Sequence, residues 1–327
     1  MPISTTYNPN SPSARTGQGS AIGNREDLSN EIYMLSPEVT PVFSLCTKRK
    51  ATATFHEWNT NKLRAPRTTG AMEGADITTF EDKGAKKARL GNYIQIFQNP
   101  WQVSKTQAAV TSAGPAAIAE AEGNSLLELK RDIEASILSD NDRSSDNGSD
   151  TPYMLRGLGD WIDSSGPSDV PEDYRTPSGS ILGAAPTEIT FNDVISSIFS
   201  KTGKQGMFTL VAGIALRKRI SQFTRTDNNA SEGVYNVIQN AESKKVTLTV
   251  TQFEGDHGIV NIVDGNPDCM PADTRGYFAM PRYLGWASLI NIGSQRLQDQ
   301  GGGQRGFVDC QGTLEVLHPQ AFGKIAY

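Results

Sequence analysis

Alternating polar and apolar positions in the first third of the chain predict two β-strands. The stretch KATATFHEWNTNKL (50–63) alternates with a period of two, and ARLGNYIQIFQN (88–99) repeats the pattern. The polar, glycine-containing segment between them is much longer than the about two to five residues of a compact hairpin loop. Because a two-stranded ribbon is marginally stable by itself in water, we expect this ribbon to need another surface to lie on.

Apolar residues at helical spacing predict one long helix after the ribbon. In AGPAAIAEAEGNSLLELKRDIEASILSDN (113–141), Pro115 fits the first turn and Ser112 is a candidate cap. About 25 helical residues make a rod of roughly 37 Å, and the charged side chains are predicted to occupy its other faces. The predicted apolar stripe consists of Ile118, Leu126, Leu129, Ile133 and Ile137.

The N-terminal region lacks the apolar anchors of a core. Residues 1–24 are rich in Ser, Thr, Pro, Asn and Gly, so we expect an arm that is disordered or laid on a partner. The next stretch, 24–46, predicts a short amphipathic helix with Asn24 as its cap and Pro37 at its end. An extended, proline-containing linker is predicted to follow this helix.

The C-terminal half shows a regular succession of elements. Helices are predicted at 190–203 and 214–223, with a buried strand at 207–213 between them. Two further strands are predicted to form a hairpin across Gly255, Asp256 and His257. Apolar and strand-like segments continue to the C-terminus. This mixture predicts an α+β fold.

Composition and charge narrow the function classes. The net charge is −5 and the pI about 5.4, whereas a protein that grips nucleic acid usually carries a basic excess. No apolar run approaches the roughly 18–20 residues of a membrane span, and the N-terminus has no secretory pattern. The sparse, widely separated cysteines indicate a reducing cytoplasm and buried structural thiols; they are Cys46, Cys269 and Cys310.

Candidate chemistry is weak throughout the sequence. HEW at 56–58 resembles half of a zinc-protease motif, but Thr60 stands where the second histidine would fall, and the chain has only three histidines. KTGKQG (201–206) and GGGQRG (301–306) lack the spacing and context of phosphate loops. GDHG, which contains His257, lacks a nucleophile elbow. We therefore predict no enzyme activity, no cofactor and no metal.

The order of several motifs resembles that of a known family. NREDLSNEIYMLSPEVTPVFS, KATATFHEWNTNKL, RLGNYIQIFQNPWQVSKTQAAV, LLELKRDIEASIL and LRGLGDWI follow one another as in the major capsid proteins of tailed bacteriophages, in the group named after phage SU-ten. The resemblance continues through TLVAGIALRKRISQF to GTLEVLHPQAFGKI and covers nearly the whole chain from about residue 24.

This resemblance implies the Hong Kong 97 capsid fold. It implies an N-terminal arm, an extended β-ribbon loop that reaches over a neighbouring subunit, a peripheral domain containing a spine helix at 112–140, and an axial domain, with a final return to the peripheral domain. The implied boundaries, in that order, are 1–48, 49–100, 101–185, 186–285 and 286–327.

The resemblance also implies where subunits meet. Apolar ribbon side chains are expected to be exposed until a neighbouring subunit covers them; they are Phe55, Trp58, Tyr93, Ile94 and Phe97. Charged side chains are expected to set the register between copies; they are Lys50, Glu57 and Arg89. Lysines in the ribbon tip would permit a covalent crosslink, but we expect non-covalent assembly; they are Lys62, Lys83, Lys86 and Lys87.

The function implied is self-assembly into an icosahedral head that encloses double-stranded DNA without sequence-specific binding. Hexamers and pentamers of the chain, a separate scaffolding protein, a portal and a decoration protein are the expected partners, and the virion, assembled in the host cytoplasm, is the expected location. An encapsulin-type container or a tail-tube component is the alternative. A hydrolase built around His257 is a third hypothesis.

Overall fold

The computed structural model describes residues 39–82, 84, 86–110, 116–203, 206–224 and 250–327. Residues 1–24 of the predicted arm, the predicted helix that begins after Asn24 and ends at Pro37, and the capping positions Ser112 and Pro115 lie outside the described residues. Among described residues the helices are α1 Pro41–Leu45, α2 Lys105–Ala109, α3 Ala117–Leu138, α4 Leu158–Trp161, α5 Glu188–Thr202 and α6 Ile214–Ser221.

The strands form three sheets. A four-stranded sheet has the order β1-β10-β11-β4, a six-stranded sheet has the order β5-β12-β9-β6-β8-β7, and β2 and β3 form a separate ribbon. The strands are β1 Thr47–Lys50, β2 Phe55–Asn61, β3 Lys87–Tyr93, β4 Gln95–Ser104, β5 Ile181–Leu182, β6 Gly206–Ala212, β7 Gln252–Gly255, β8 Gly258–Asp264, β9 Gly276–Ala279, β10 Leu284–Leu297, β11 Gly303–Val316 and β12 Gly323–Ile325.

The second predicted ribbon strand is in fact two strands. Residues up to Tyr93 pair with β2, whereas residues from Gln95 onward pair with β11 of the four-stranded sheet. Ile94 lies between the two strands, and its N–H donates to the Thr54 carbonyl. The prediction of one strand over 88–99 is therefore wrong, because alternation continues across a change of partner sheet that period two cannot reveal.

The long helix α3 confirms the predicted stripe. Leu129, Ile133 and Ile137 are fully buried, while Ile118 and Leu126 are partly buried against the same core. The helix packs along β4 and β11. One charged residue of α3, Glu134, is also fully buried, so a face of the helix other than the apolar stripe is covered at this position.

Glu134 is buried because it stabilises the start of helix α1. Its two carboxylate oxygens accept hydrogen bonds from the backbone N–H groups of Val42, at 2.8 Å, and Phe43, at 2.7 Å. Pro41 occupies the first turn, where a missing N–H costs nothing. The predicted extended linker is therefore a short helix here, docked on α3 by a carboxylate at its N-terminus.

The six-stranded sheet contains the predicted C-terminal-half elements. Helix α5 begins with a capping box between Thr187 and Thr190 and ends at Gly203, whose φ of +62° suits glycine. The strand β6, the helix α6 and the β7–β8 hairpin also follow the prediction. These elements place a mixed sheet beside α5, with Phe191 packed among Phe253 and Phe278.

The C-terminal segment contributes to two sheets. Strand β11 does return to the four-stranded sheet, where it pairs with β4 and β10. The last strand, β12, instead pairs with β9 and β5 in the six-stranded sheet. Phe322 and Ile325 are buried in the apolar core, and β12 therefore lies in a different sheet from β11. The assignment of 286–327 to the peripheral part stays a prediction.

Candidate assembly surfaces

The ribbon consists of a paired stem and an unpaired tip. Seven residue pairs join β2 to β3, from Phe55 opposite Tyr93 to Asn61 opposite Lys87. Beyond them, the described residues between 62 and 86 form neither helix nor strand. The tip exposes large apolar side chains almost completely, and these are Leu63 (86% exposed), Met72 (85%), Ile77 (77%) and Phe80 (84%). These four residues are not among the predicted interface residues, because they are dispersed in a polar segment.

Three of the five predicted interface side chains are buried by their own chain. Trp58 is 8% exposed, lies 5.7 Å from Trp161 between ring centroids, and donates from Nε1 to the Val316 carbonyl at 3.1 Å. Ile94 and Phe97 are buried beside the four-stranded sheet. The expectation that these three are exposed for a neighbouring subunit is wrong, because the base of the ribbon packs on its own subunit.

The remaining two, Phe55 and Tyr93, are half-buried. They face each other across the stem with ring centroids 4.6 Å apart, and the Arg143 guanidinium lies 4.9 Å from the Phe55 ring centroid. Among the predicted charged residues, Glu57 and Arg89 form an ion pair with each other across the stem. Lys50 is exposed at the end of β1.

A buried arginine fixes the root of the ribbon. The backbone N–H of Arg156 donates to the Asn92 side-chain oxygen at 2.8 Å, and the Asn92 amide donates in turn to the Leu314 carbonyl at 3.0 Å. Asn92 belongs to β3 and is fully buried. The Arg143 guanidinium also donates a hydrogen bond to the backbone carbonyl of Gly91, next to Asn92 in β3. The stem is therefore attached to its own subunit through the backbone of Arg156, the side chain of Arg143 and the Leu314 carbonyl.

The Arg156 guanidinium is surrounded by carboxylates. It is 1% exposed and lies 2.7 Å from oxygens of both Asp142 and Asp169, with Asp160 at 2.9 Å. Its face also lies 4.9 Å from the Trp161 ring centroid. One buried cation thus contacts three acids, of which Asp169 is also paired with Arg143, and removal of the buried cation is expected to be costly.

The acids in this cluster titrate in opposite directions. Burial raises the pKa of Asp169, but the hydrogen bond and charge of Arg156 outweigh burial and leave that pKa below its ordinary value. Burial raises the pKa of Asp160 above its ordinary value, and the neighbouring acids add to this effect although Arg156 opposes it. The difference follows from geometry, since Asp160 Oδ2 receives no hydrogen bond from the described residues.

A groove opens beside β1. It has a volume of about 640 Å³ and is lined on one side by apolar groups of α1 and β10 and on the other by the basic side chains of β1. Phe43 and Trp286 pack edge to face with their centroids 5.5 Å apart, and the Lys48 amine lies 3.2 Å from the Phe43 ring centroid. Burial lowers the pKa of Lys48. This surface can accept an extended segment that carries apolar and acidic groups.

The predicted chemical residues have other contacts in the structure. His56 Nε2 lies 3.9 Å from Glu315 Oε2, and the His257 ring stacks on Phe199 at 4.7 Å. Across the described ranges, no three His, Cys, Asp or Glu side chains are grouped so that they could hold a metal ion. Burial raises the pKa of the three thiols, which are Cys46 (to about 12), Cys269 (to about 11) and Cys310 (to about 11).

No helix in the part of the chain that the structure describes combines the length and apolarity needed to cross a bilayer.

The architecture is that of the Hong Kong 97-like capsid proteins. The chain is similar to the capsid of the empty GTA particle, with a TM-score of 0.66 and 11% identity over 96% of this chain and 98% of that one. It is similar to the Mycobacterium phage Bobi structure, with a TM-score of 0.59 and 11% identity over 94% and 97% of the two chains. The holo-SrpI encapsulin complex from Synechococcus elongatus gives a TM-score of 0.53 and 10% identity over 96% and 94%. At these identities the likeness establishes the fold.

The sequence itself identifies the family. The model of the SU10 major capsid protein family matches residues 7–327, so the chain belongs to that family and is a tailed-phage major capsid protein. A search of curated protein sequences gave no match. Family membership makes the chain a component of the virion capsid, and that capsid is built from many copies of the chain.

Proposed function

We propose that this chain forms pentamers and hexamers that close into an icosahedral head around double-stranded DNA, and that the ribbon tip supplies a main contact between copies. The observation that carries the proposal is the set of four apolar side chains in the tip, each at least three-quarters exposed in the single chain. Several large apolar side chains left exposed along one extended segment favour an interaction surface there. A second copy that covers them would supply the burial that the single chain lacks.

The proposed roles of the segments follow from this arrangement. Residues 49–100 would hold the ribbon, 112–140 the spine helix, 186–285 most of the axial part, and 1–48 the arm, of which α1 packs on α3 of its own chain. Interlocking arms of this kind bury large interfaces of about 2,000 Å² or more. Within the stem, Phe55, Tyr93 and the Glu57–Arg89 pair would lie at the edge of that interface, and Lys50 would lie on the receiving side.

Several further properties belong to the same proposal. The acidity of the chain, with its net charge of −5, suits a container that does not grip its genome. The proposed partners are a separate scaffolding protein, a portal and a decoration protein, and assembly takes place in the host cytoplasm. The shell is non-covalent and has no catalytic role. Lys62, one of the candidate crosslinking lysines, forms an ion pair with Asp173 at 2.8 Å instead.

The test removes the apolar anchors of the tip. A double variant, Ile77→Ser with Phe80→Ser, is expected to yield folded, unassembled subunits, because both side chains are exposed and contribute nothing to the core. Sedimentation and electron microscopy measure assembly, and circular dichroism measures folding. The matched control, Thr78→Ser with Thr79→Ser, changes the same segment without removing apolar area and is expected to assemble normally. Normal shells from the Ile77/Phe80 variant would refute the proposed role of the tip.

An encapsulin-type container is the second candidate, and the structural likeness to the encapsulin complex favours it. The contents of the particle distinguish the two functions. A phage head contains packaged DNA, whereas a compartment of the second kind contains protein cargo and no genome. In either case His257→Ala is expected to leave assembly unchanged, since that ring stacks on Phe199 at the β7–β8 turn, away from the ribbon.

A further inference from the structure

We propose that the groove beside β1 receives the acidic, apolar tip segment 72–82 of a second copy's ribbon. We call it the basic groove and define it by Phe43, Lys48, Lys50, Trp286, Leu289 and Ile292. This inference rests on the proposed function, because it assigns the surface on which the tip docks. Three features of the described residues support it: the chemistry of the groove, the open edge of strand β10, and the complementary composition of the tip.

The groove offers apolar surface and uncompensated positive charge. Its floor is formed by Trp286 and Phe43, with Leu289 and Ile292 half-buried beside them. Arg49, on the same strand as the two groove lysines, is already paired with Glu315 at 3.1 Å. Lys50 makes no ion pair with any described residue, and the Lys48 amine donates to the Phe43 carbonyl rather than to an acid. An incoming carboxylate would therefore meet two lysines that have no acidic partner in the described part of the chain.

The groove lies beside an unfilled sheet edge. Strand β1 pairs with β10 only over four residues, from Thr47 opposite Gly285 to Lys50 opposite Ser288. From Leu289 to Leu297, β10 has β11 on one side and, among the described residues, no strand on the other. Ile290 and Leu297 are about half exposed along this part. An extended segment of another chain can add to such an edge through backbone hydrogen bonds while its side chains occupy the groove.

The tip segment has the complementary composition. Residues 68–82 contain four acids and no lysine or arginine. Met72, Ile77 and Phe80 are exposed, and the acids Glu73 and Asp76 beside them make no ion pair with any described residue. Apolar groups and carboxylates therefore alternate irregularly along a segment that has no helix or strand of its own. This composition matches a groove with an aromatic floor and lysines along its wall.

The position of the groove favours a second copy over the chain's own tip. The groove lies at the root of the ribbon, since β1 ends at Lys50 and β2 begins at Phe55. Seven paired residues at about 3.3 Å each carry the tip roughly 20 Å from that root. The stem is held in that direction by the Lys62–Asp173 pair and by the hydrogen bond from the Tyr174 hydroxyl to the Lys86 carbonyl. The chain's own tip would have to turn back over the same distance, whereas a neighbour's tip approaches from outside.

Charge reversal tests the pairing. Lys50→Glu in the groove and Asp76→Lys in the tip are each expected to raise the protein concentration needed for assembly by about tenfold or more, because like charges then face each other across the contact. The two substitutions together restore an attractive pair, so the double variant is expected to assemble at a concentration closer to that of the native chain. Lys218→Glu, an exposed charge reversal on α6, is the matched control and is expected to assemble like the native chain.

A disulfide test identifies which chain fills the groove. In a variant with Lys50→Cys and Asp76→Cys, oxidation of assembled particles is expected to give a ladder of linked chains on non-reducing gels. The single variants are expected to give none, because the three native cysteines are buried. A linkage formed only within one chain would show that the groove binds its own tip and would overturn the proposal. Absence of any linkage in intact shells would overturn it as well.

The failure of this inference can be told apart from the failure of the proposed function. If the Ile77/Phe80 variant does not assemble but Lys50→Glu and Asp76→Lys assemble normally, the tip docks on a different surface and only the groove assignment is wrong. If all of these variants assemble normally, the tip is not a main contact and both proposals are wrong. If Asp76→Lys alone impairs assembly and Lys50→Glu does not rescue it, the groove assignment is again refuted.

Discussion

The buried Arg156 cluster gives the sharpest prediction about subunit stability. Substitution of Arg156 by Ala removes the one guanidinium that, among the described residues, contacts Asp142, Asp160 and Asp169 together, and it leaves Asp169 paired with Arg143 at 3.1 Å. The side chain is 1% exposed, so water cannot replace it fully. Breaking a buried ion pair by removing one partner costs about 3–5 kcal/mol. The three acids are themselves between a quarter and two-thirds exposed, which places our expectation at the lower end, about 3 kcal/mol.

This free energy converts to a measurable change in melting temperature. Globular chains gain about 2.1 cal/mol/K of entropy per residue on unfolding, so a chain of 327 residues changes its melting temperature by about 1.5 °C for each kcal/mol. The expected loss for Arg156→Ala is therefore about 4–5 °C. Scanning calorimetry on subunits kept unassembled by the Ile77→Ser and Phe80→Ser substitutions measures it without contributions from contacts between copies.

Two comparison variants make the result interpretable. Arg296→Ala removes an arginine whose side chain is 62% exposed and which pairs with Glu122 at 3.2 Å, so its expected loss is about 0–1 kcal/mol. Arg156→Lys retains the charge but cannot bridge Asp142 and Asp169 with a planar fork, and we expect an intermediate loss. If Arg156→Ala melts within 1 °C of Arg296→Ala, the cluster does not stabilise the subunit and the reasoning fails.

Three other predictions concern carboxylates. Because the pKa of Asp169 is lowered, its contribution to stability is present above the ordinary aspartate pKa and is lost as the pH falls through the lowered value. Asp169→Asn should therefore destabilise the subunit at neutral pH, with a cost that disappears in acid. The pKa of Asp160 is raised, so the contribution of this carboxyl to stability grows as the pH falls from the raised value towards the ordinary one. Asp160→Asn should therefore cost little stability at neutral pH and more in acid. Urea titrations that give the same pH trend for both variants would contradict this assignment. Glu134→Ala leaves two backbone N–H groups at α1 without acceptors, and at about 1–3 kcal/mol for each group we expect a loss of stability near 3 kcal/mol. We also expect faster proteolysis at residues 41–46 than in the control Glu128→Ala. Equal cleavage rates would show that the carboxylate does not hold α1.

Periodicity predicted the elements well where one element has one partner. The stripe from Leu129 to Ile137 and the capped helix that ends at Gly203 depend on local spacing and local turn chemistry, and the structure confirms both. The change of partner at Ile94 could not be predicted, because β3 and β4 continue the same alternation while they join different sheets. Likewise, the acceptor role of Glu134 depends on Val42, which is 92 residues away, and local sequence carries no signal of it.

Three predicted interface residues are buried in their own subunit for a related reason. Large aromatic residues in a ribbon without a core of its own predict an interface, and Trp58 and Phe97 were therefore expected there. The same size makes them good core residues, and burial on their own subunit competes with burial on a neighbour. The signal that could have located the tip is weaker: Met72, Ile77 and Phe80 recur within a stretch that has no basic residue and no helix or strand period.

The division of the ribbon into a fixed stem and an irregular tip has a consequence for assembly. The stem is held on its own subunit by Trp58 and Asn92, so no further entropy is lost in orienting the stem when two copies meet. The tip has no secondary structure and must be ordered on contact, at about 0.5–1.5 kcal/mol for each immobilised side chain. Full burial of Met72, Ile77 and Phe80 returns about 1.5–3 kcal/mol each, which exceeds their side-chain ordering cost but is offset by the cost of ordering the backbone, about 1–2 kcal/mol per residue. A contact of this strength is weak between two free subunits and strong only in a closed ring, where every copy donates one tip and receives another.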